Sequence, residues 1–383
     1  MITITSPVNG EVLTHRNGRV TDGGLSVEVR GHVKPATSFS AVFVNDTPAQ
    51  VAANGAFQAT VRVTEPETDL VARLEASGGP AAHQIRVLWN RHSRPRYRFA
   101  IDDNIFFLRD LARTRPASIF DHFYLRGLRD LHQRYGTKFV LNTFFTTPEA
   151  DFTLAQMPDG WRGEFADHAG WLSLAFHAYA EFPDRPYQHA TAAKLAADYD
   201  LVAGELRRFA GDTAFSPTTV THWGMVAPEA WGVLAARGTR VLSGFFVPNT
   251  GSSYTGDGES IAADLAGDGY DINYCLDTER SAFLSRHDLI KDFASGLLFS
   301  RGDIVCNNTP PEQAERVLLP LMADPATAEI MDLVTHEQYF WPSYFNYRPD
   351  HFARCEAAIR CCAENGYEPV FLHEGLAGAG PEK

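Results

Sequence analysis

Two different hydrophobic periods divide this chain, and the change between them limits its fold more than any single residue does. Up to about residue 90, apolar and polar side chains alternate in short runs: LSVEVRGHV (25–33), SAVFVNDTPA (40–49), GAFQATVRVT (55–64) and HQIRVLWN (83–90). A period of two is that of a strand with one buried face. VND (44–46) and ANG (53–55) supply turn residues between the runs. Strands this closely spaced predict a small all-β sandwich over residues 1–92. A basic, proline-bearing joint, NRHSRPRYR (90–98), closes that region.

Beyond the joint, short apolar runs alternate with stretches of helical spacing. SIFDHFYLRGLRDLHQRYG (118–136) carries Ser118 and Asp121 as a capping pair and stops at Gly136, which predicts a helix. KFVLNTFF (138–145) and WLSLAFH (171–177) read as buried strands, and TAAKLAADYDLVAGELRRFAG (191–211) as a glycine-terminated helix. RVLSGFF (240–246), DIVCNN (303–308), DLVTHE (332–337) and EPVFLHE (368–374) continue the series. Strands alternating with helices fit a parallel α/β barrel or a doubly wound sheet. Polar residues at the strand ends favour the barrel: Asp102, Asp103, Asn142, His177, His222, Asn307 and His336. In a barrel those ends converge on one mouth.

The formal net charge of −13 argues against nucleic acid or an anionic membrane as partner. No apolar run approaches the length of a membrane span. MITITSPVNGEV carries no signal-peptide pattern, so the chain is read as cytoplasmic, or as secreted or periplasmic if a leader has been removed. Five cysteines make neither a disulfide framework nor a CxxC zinc site and are expected as buried thiols.

Asp102 and Asp103 pose a problem in RFAIDDNIFF (98–107), because adjacent carboxylates at the end of a buried strand repel and lose hydration. A metal, a shared proton or a basic partner would neutralise them. FHAYAEF sets His177 and Glu181 four residues apart, a spacing that shares one face of a helical turn; the same spacing also arises as a surface ion pair. With Asp103 these two form an oxygen and nitrogen set suited to Zn²⁺ or a similar ion. His222 in VTHWG is another candidate ligand, or a strand-end residue that binds substrate. His336 in LVTHEQYF is a candidate general acid or base. Trp223, with Trp341 and Tyr344 of YFWPSYFNY (339–347), supplies rings that would stack on sugar faces. His189, His287 and His351 have no evident partners and are expected at the surface. No nucleophile elbow and no phosphate-binding glycine loop is present.

The order FAIDDN, FHAYAEF, LVTHE, helix, NGYEPVFL resembles the polysaccharide deacetylase family of carbohydrate esterases over residues 97–374. The first region is similar to bacterial immunoglobulin-like modules. These resemblances imply an immunoglobulin-like sandwich (1–92) joined to a distorted (β/α)7-type barrel (97–383), and removal of an acyl group from a carbohydrate. They imply Asp102 as the base, His336 as the acid, and Asp103, His177 and Glu181 as ligands of one divalent metal ion, with zinc first and cobalt, nickel or manganese as alternatives. Three departures stand out: Asn104 replaces the usual glycine, Glu181 replaces a histidine, and the family's Arg-x-Pro-Tyr motif is missing. Two further classes stay open. One is a glycoside hydrolase pairing Asp102 with Glu181 or Glu337; the other is a glycan-binding protein without chemistry. Oligomeric state is not legible.

Overall fold

The computed structural model describes residues 1–34, 41–75, 81–248 and 270–375. Residues 376–383 of the expected barrel and part of the 40–49 run lie outside them. Contacts divide the chain into two units. One is Met1–Arg94 with the short Leu289–Ala294 segment; the other is Pro95–Asp288 with 295–374.

In the first unit the alternating runs form antiparallel sheets. β1 (Ile2–Ser6) pairs β2 (Gly24–Val33), which pairs β4 (Ala56–Val63). A second sheet joins β3 (Ala41–Val44), β5 (Glu67–Glu75) and β6 (Ala81–Trp89). Alternate residues of both sheets, among them Val27, Val29, Phe57, Val61, Leu70, Ala72 and Val87, meet in one apolar core. Gly10 is required where the chain passes Lys291: its φ is +92°, and a Cβ would lie 2.2 Å from the Lys291 carbonyl oxygen.

The second unit is mixed α/β. β7 (Arg96–Asn104) is buried along its whole length and is followed by α1 (Phe106–Thr114) and α2 (Phe123–Tyr135). The Ser118–Asp121 capping box closes a separate 3₁₀ turn ahead of α2, and α2 ends as expected at Gly136 in the left-handed region. Next come β8 (Phe139–Phe144), β9 (Leu172–Ala178), α3 (Ala192–Ala210), β10 (Thr218–Thr219), β11 (Val241–Pro248), β12 (Leu298–Arg301) and β13 (Ile304–Val305). The chain closes with α4 (Ala314–Ala323), β14 (Ile330–His336), α5 (His351–Glu364) and β15 (Glu368–Pro369). β9, β8, β7, β14 and β13 form one parallel sheet in that order; β10, β11 and β12 form another. Strand order follows chain order, as a barrel needs. The ladders stop between β9 and β10, apart from a single Leu174–Phe215 bridge, and between β12 and β13.

The two parallel sheets are tied together through a buried polar network. Arg98 of β7 pairs through Nε with Asp332 of β14, and both are almost wholly buried. The other Asp332 oxygen accepts from Ser243 of β11 at 2.5 Å and from Ser300 of β12 at 3.0 Å. No helix among the described residues is long and apolar enough to cross a membrane.

Candidate metal and catalytic site

Two strand ends are irregular, and the irregularities help build the site. Along the β7–β8 pair the register slips between Ile101 and Asn104, and Asp103 sits at φ +62°. In a regular strand Asp102 and Asp103 would face opposite sides of the sheet. The slip and the left-handed residue bring both carboxylates to one cavity. Along β8–β9 the register passes from Phe176 to Ala178, so His177 is the unpaired residue of the bulge. His222 follows the short β10, and His336 ends β14 directly opposite Asp102. Asp102, Asp103, His177, His222, Asn307 and His336 all line a cavity of about 350 Å³.

Asp103, His177 and His222 are buried, and their ligand atoms lie within 4.8 Å of one another. Each imidazole is held from behind. His177 donates Nδ1–H to the Val220 carbonyl, and His222 donates Nε2–H to the Glu181 carbonyl at 2.9 Å. A neutral imidazole has one N–H. His177 Nε2 and His222 Nδ1 therefore face inward as bare lone pairs, 3.2 Å apart. Asp103 Oδ1 lies 2.9 Å from the first and 3.3 Å from the second. Its other oxygen accepts from Gln338 Nε2 at 2.9 Å. Acceptors converging without a proton between them fit a bound cation, and a two-histidine, one-carboxylate set suits Zn²⁺ and its neighbours.

Burial raises the pKa of Asp103, but with protons on the facing ring nitrogens in place of an ion the His177 and His222 contacts outweigh it and hold the carboxyl well below its usual range. Asp102 moves the other way. Burial, then the charge of Asp103, push it well above the usual range, against Arg98 and a 2.7 Å hydrogen bond from Asn142. Burial lowers His177 against the pull of Asp103, and burial also lowers His336. Glu181 is pushed up to about 7, first by burial and then by Asp103.

The expected helical turn linking His177 to Glu181 is absent: His177 lies in β9 and Glu181 in the loop beyond it. The Glu181 carboxyl lines the cavity outside the Asp103–His177–His222 group, while its main-chain carbonyl orients His222. Glu337 is turned away from the chemistry. Its carboxylate accepts the N–H groups of Ile105, Phe106 and Phe107 at 2.7, 2.8 and 2.7 Å and caps α1. Trp223 and Tyr344 line the cavity, with Tyr339, Phe182 and Phe345; the last two are 65% and 82% exposed. Trp341 does not. It packs on Phe106, Phe123 and Tyr124 and donates Nε1–H to Asp110 at 2.9 Å.

His351, expected at the surface, is buried. His287 is stacked on Phe283 with ring centroids 3.7 Å apart. The cysteines are free thiols, all buried except the half-buried Cys275. Asn104 has a structural role: its amide donates to the Ile101 and Asn142 carbonyls and accepts from the Tyr124 hydroxyl at 2.8 Å. Gln338 was missed in the sequence, since a lone glutamine after a strand carries no ligand signature.

No protein-family model matches the chain. No curated protein sequence matches it either. Solved structures share parts of its architecture at low identity. The 4-alpha-glucanotransferase from Thermococcus litoralis is 12% identical over 76% of this chain and 41% of that one, with a TM-score of 0.45. A Streptococcus mutans CE4 esterase is 8% identical over 72% of this chain and 85% of its own, with a TM-score of 0.40. Agd3, a carbohydrate deacetylase, is 9% identical over 94% and 70%, with a TM-score of 0.38. The chain thus spans about two fifths of the glucanotransferase. At such values the chemistry has to be read from this chain's own residues.

Proposed function

We propose that the chain is a metal-dependent hydrolase of the carbohydrate deacetylase type, removing an acyl group from a sugar. The observation that carries this reading is the convergence of three buried acceptors, Asp103 Oδ1, His177 Nε2 and His222 Nδ1, with the outward nitrogen of each ring tied to a carbonyl. A divalent ion held there, zinc or else cobalt, nickel or manganese, would polarise an acyl carbonyl and acidify water. His222 rather than Glu181 is the third ligand in this proposal.

The chain's own groups supply the rest. Asp102, hydrogen-bonded by Asn142, faces the same cavity and takes the proton of the attacking water. His336, opposite it on β14, faces the leaving group. Gln338 holds Asp103 in the ligating orientation. Among the described lining residues Asp102, Asp103, Glu181 and Asp184 are acidic and none is Lys or Arg, which favours an uncharged or amino-bearing sugar over a phosphorylated one. Trp223, Tyr344 and the exposed Phe182 and Phe345 offer ring faces to it. The β-rich first unit is proposed as an accessory immunoglobulin-like module, with the hydrolase in residues 97–383. A paired-carboxylate glycosidase loses one of its candidates to the α1 cap, Glu337.

The test is acetate release from acetylated amino-sugar oligomers by metal-loaded protein. Asp102→Asn should lower kcat by about 10²–10⁴ with metal content unchanged, the range of a lost general base. Cleavage of a glycoside that has no acyl group, with no acetate released from acetylated ones, would replace this reading with the glycosidase.

A further inference from the structure

His336 reaches the cavity with one side of its ring joined to buried polar groups that lead away from the site. Its Nδ1 lies 2.9 Å from Asn307 Oδ1. In this placement the Asn307 Nδ2 donates to Asn308 Oδ1 at 3.0 Å, which leaves Oδ1 toward His336. A carbonyl oxygen only accepts, so His336 Nδ1 must carry the hydrogen. Thr335 Oγ1 lies 3.3 Å from the same Asn307 oxygen and 2.9 Å from His351 Nε2.

The second histidine sets the direction of this chain. His351 is buried on α5, and burial pushes its pKa down to about 3, so it is neutral. Its Nδ1 is buried without a hydrogen-bond partner. A hydrogen placed there would be an unmet buried donor, costing about 1–3 kcal/mol. It would also draw the Thr335 hydroxyl toward Nε2 and away from Asn307. With the hydrogen on Nε2 the three contacts run in one direction: His351 donates to Thr335, Thr335 donates to Asn307, and His336 donates to Asn307. Arg354, also on α5, donates to the Asn307 carbonyl at 3.4 Å and ties the same segment.

We infer that His351, Thr335 and Asn307 form a relay that locks His336 in the Nδ1–H tautomer and presents its Nε2 to the cavity as a proton acceptor. Thr335 and His351 are positioning residues, since neither lines the cavity. The inference rests on the proposed hydrolase only for its consequence. A neutral His336 has no proton to give to a leaving group until it has received one at Nε2, and the proton that Asp102, opposite it, takes from the attacking water is the one the proposed cycle supplies.

The full chain, labelled with ¹⁵N-histidine, tests this by long-range proton–nitrogen correlation spectra. Spectra are taken after chelation and again with zinc, and His336 is assigned by His336→Gln. The wild type should show a protonated Nδ1 and a bare Nε2. Thr335→Val should draw the two nitrogen shifts toward each other, and Thr335→Ser should restore their separation. If Thr335→Val does not fold by circular dichroism, His351→Phe gives the second cut and should have the same effect. A proton on Nε2 in the wild type overturns the inference, as does a wild-type signature that survives the cut. No substrate enters this measurement. Absence of acetate release would therefore remove the hydrolase and leave the tautomer standing, and a wrong tautomer would leave the hydrolase standing.

Discussion

Adding a divalent ion to chelator-treated protein should raise its unfolding temperature, and His222→Ala should abolish that rise at little cost to the metal-free fold. Without an ion, three buried acceptors face one another, and each unmet acceptor costs on the order of 1–3 kcal/mol. Truncating His222 removes one of them. It also removes a 2.9 Å hydrogen bond to Glu181 and the ring contact with Phe144, a loss of similar size. The two nearly cancel, so the metal-free variant should lie within about 2 kcal/mol of the wild type. An ion at about 1,000 times its Kd stabilises the native state by about 4 kcal/mol. For a unit of this size that is a rise of roughly 7 °C. Glu181→Ala should keep most of the rise, because its carboxyl is outside the ligand group. Scanning calorimetry with zinc, cobalt, nickel and manganese in turn, beside metal content by plasma mass spectrometry, measures all three proteins. No rise with any ion, or an equal rise in His222→Ala, refutes the ligand set.

Two further outcomes follow from buried charge. Asp332→Asn leaves Arg98 buried without its counter-charge and should cost about 3–5 kcal/mol in urea unfolding, whereas Arg98→Met with Asp332→Leu should recover most of it; a single-variant loss under about 1 kcal/mol would mean that Arg98 does not depend on Asp332 for its counter-charge. In the first unit, burial lifts Glu11 from 4.5 to about 7 against its bond from the Val8 N–H. The folded state then holds a proton that the unfolded chain releases, so this contribution is full below about pH 4.5 and lost as pH rises through 7. The loss is about 3 kcal/mol. Glu11→Gln should flatten it, and an unchanged stability profile between pH 5 and 8 in that variant would show that Glu11 is not the group responsible.

Local pattern in the sequence was enough to set Asp102, Asp103, His177 and His336 at strand ends, because strand period and helix stops are properties of neighbouring residues. It placed the end of α2 at Gly136. The same logic failed where a residue's role depends on the path of the chain. Four-residue spacing pointed to Glu181 as a ligand. Residues after Ala178 leave the strand as a loop, however, and the group within reach comes from the end of β10 as His222. Adjacent aspartates share a cavity only because the register slips and Asp103 turns left-handed, neither of which is written in the two letters. Aromatic identity likewise did not say which ring would be wet. Trp341 is packed on Phe106 and Tyr124, while Phe345 stands open. His351, Thr335 and Asn307 lie on three different elements and meet only in the fold. Periodicity is encoded locally and can be read residue by residue. The lone pairs that face one another are set by register, bulges and loop course, and only the tertiary structure decides those.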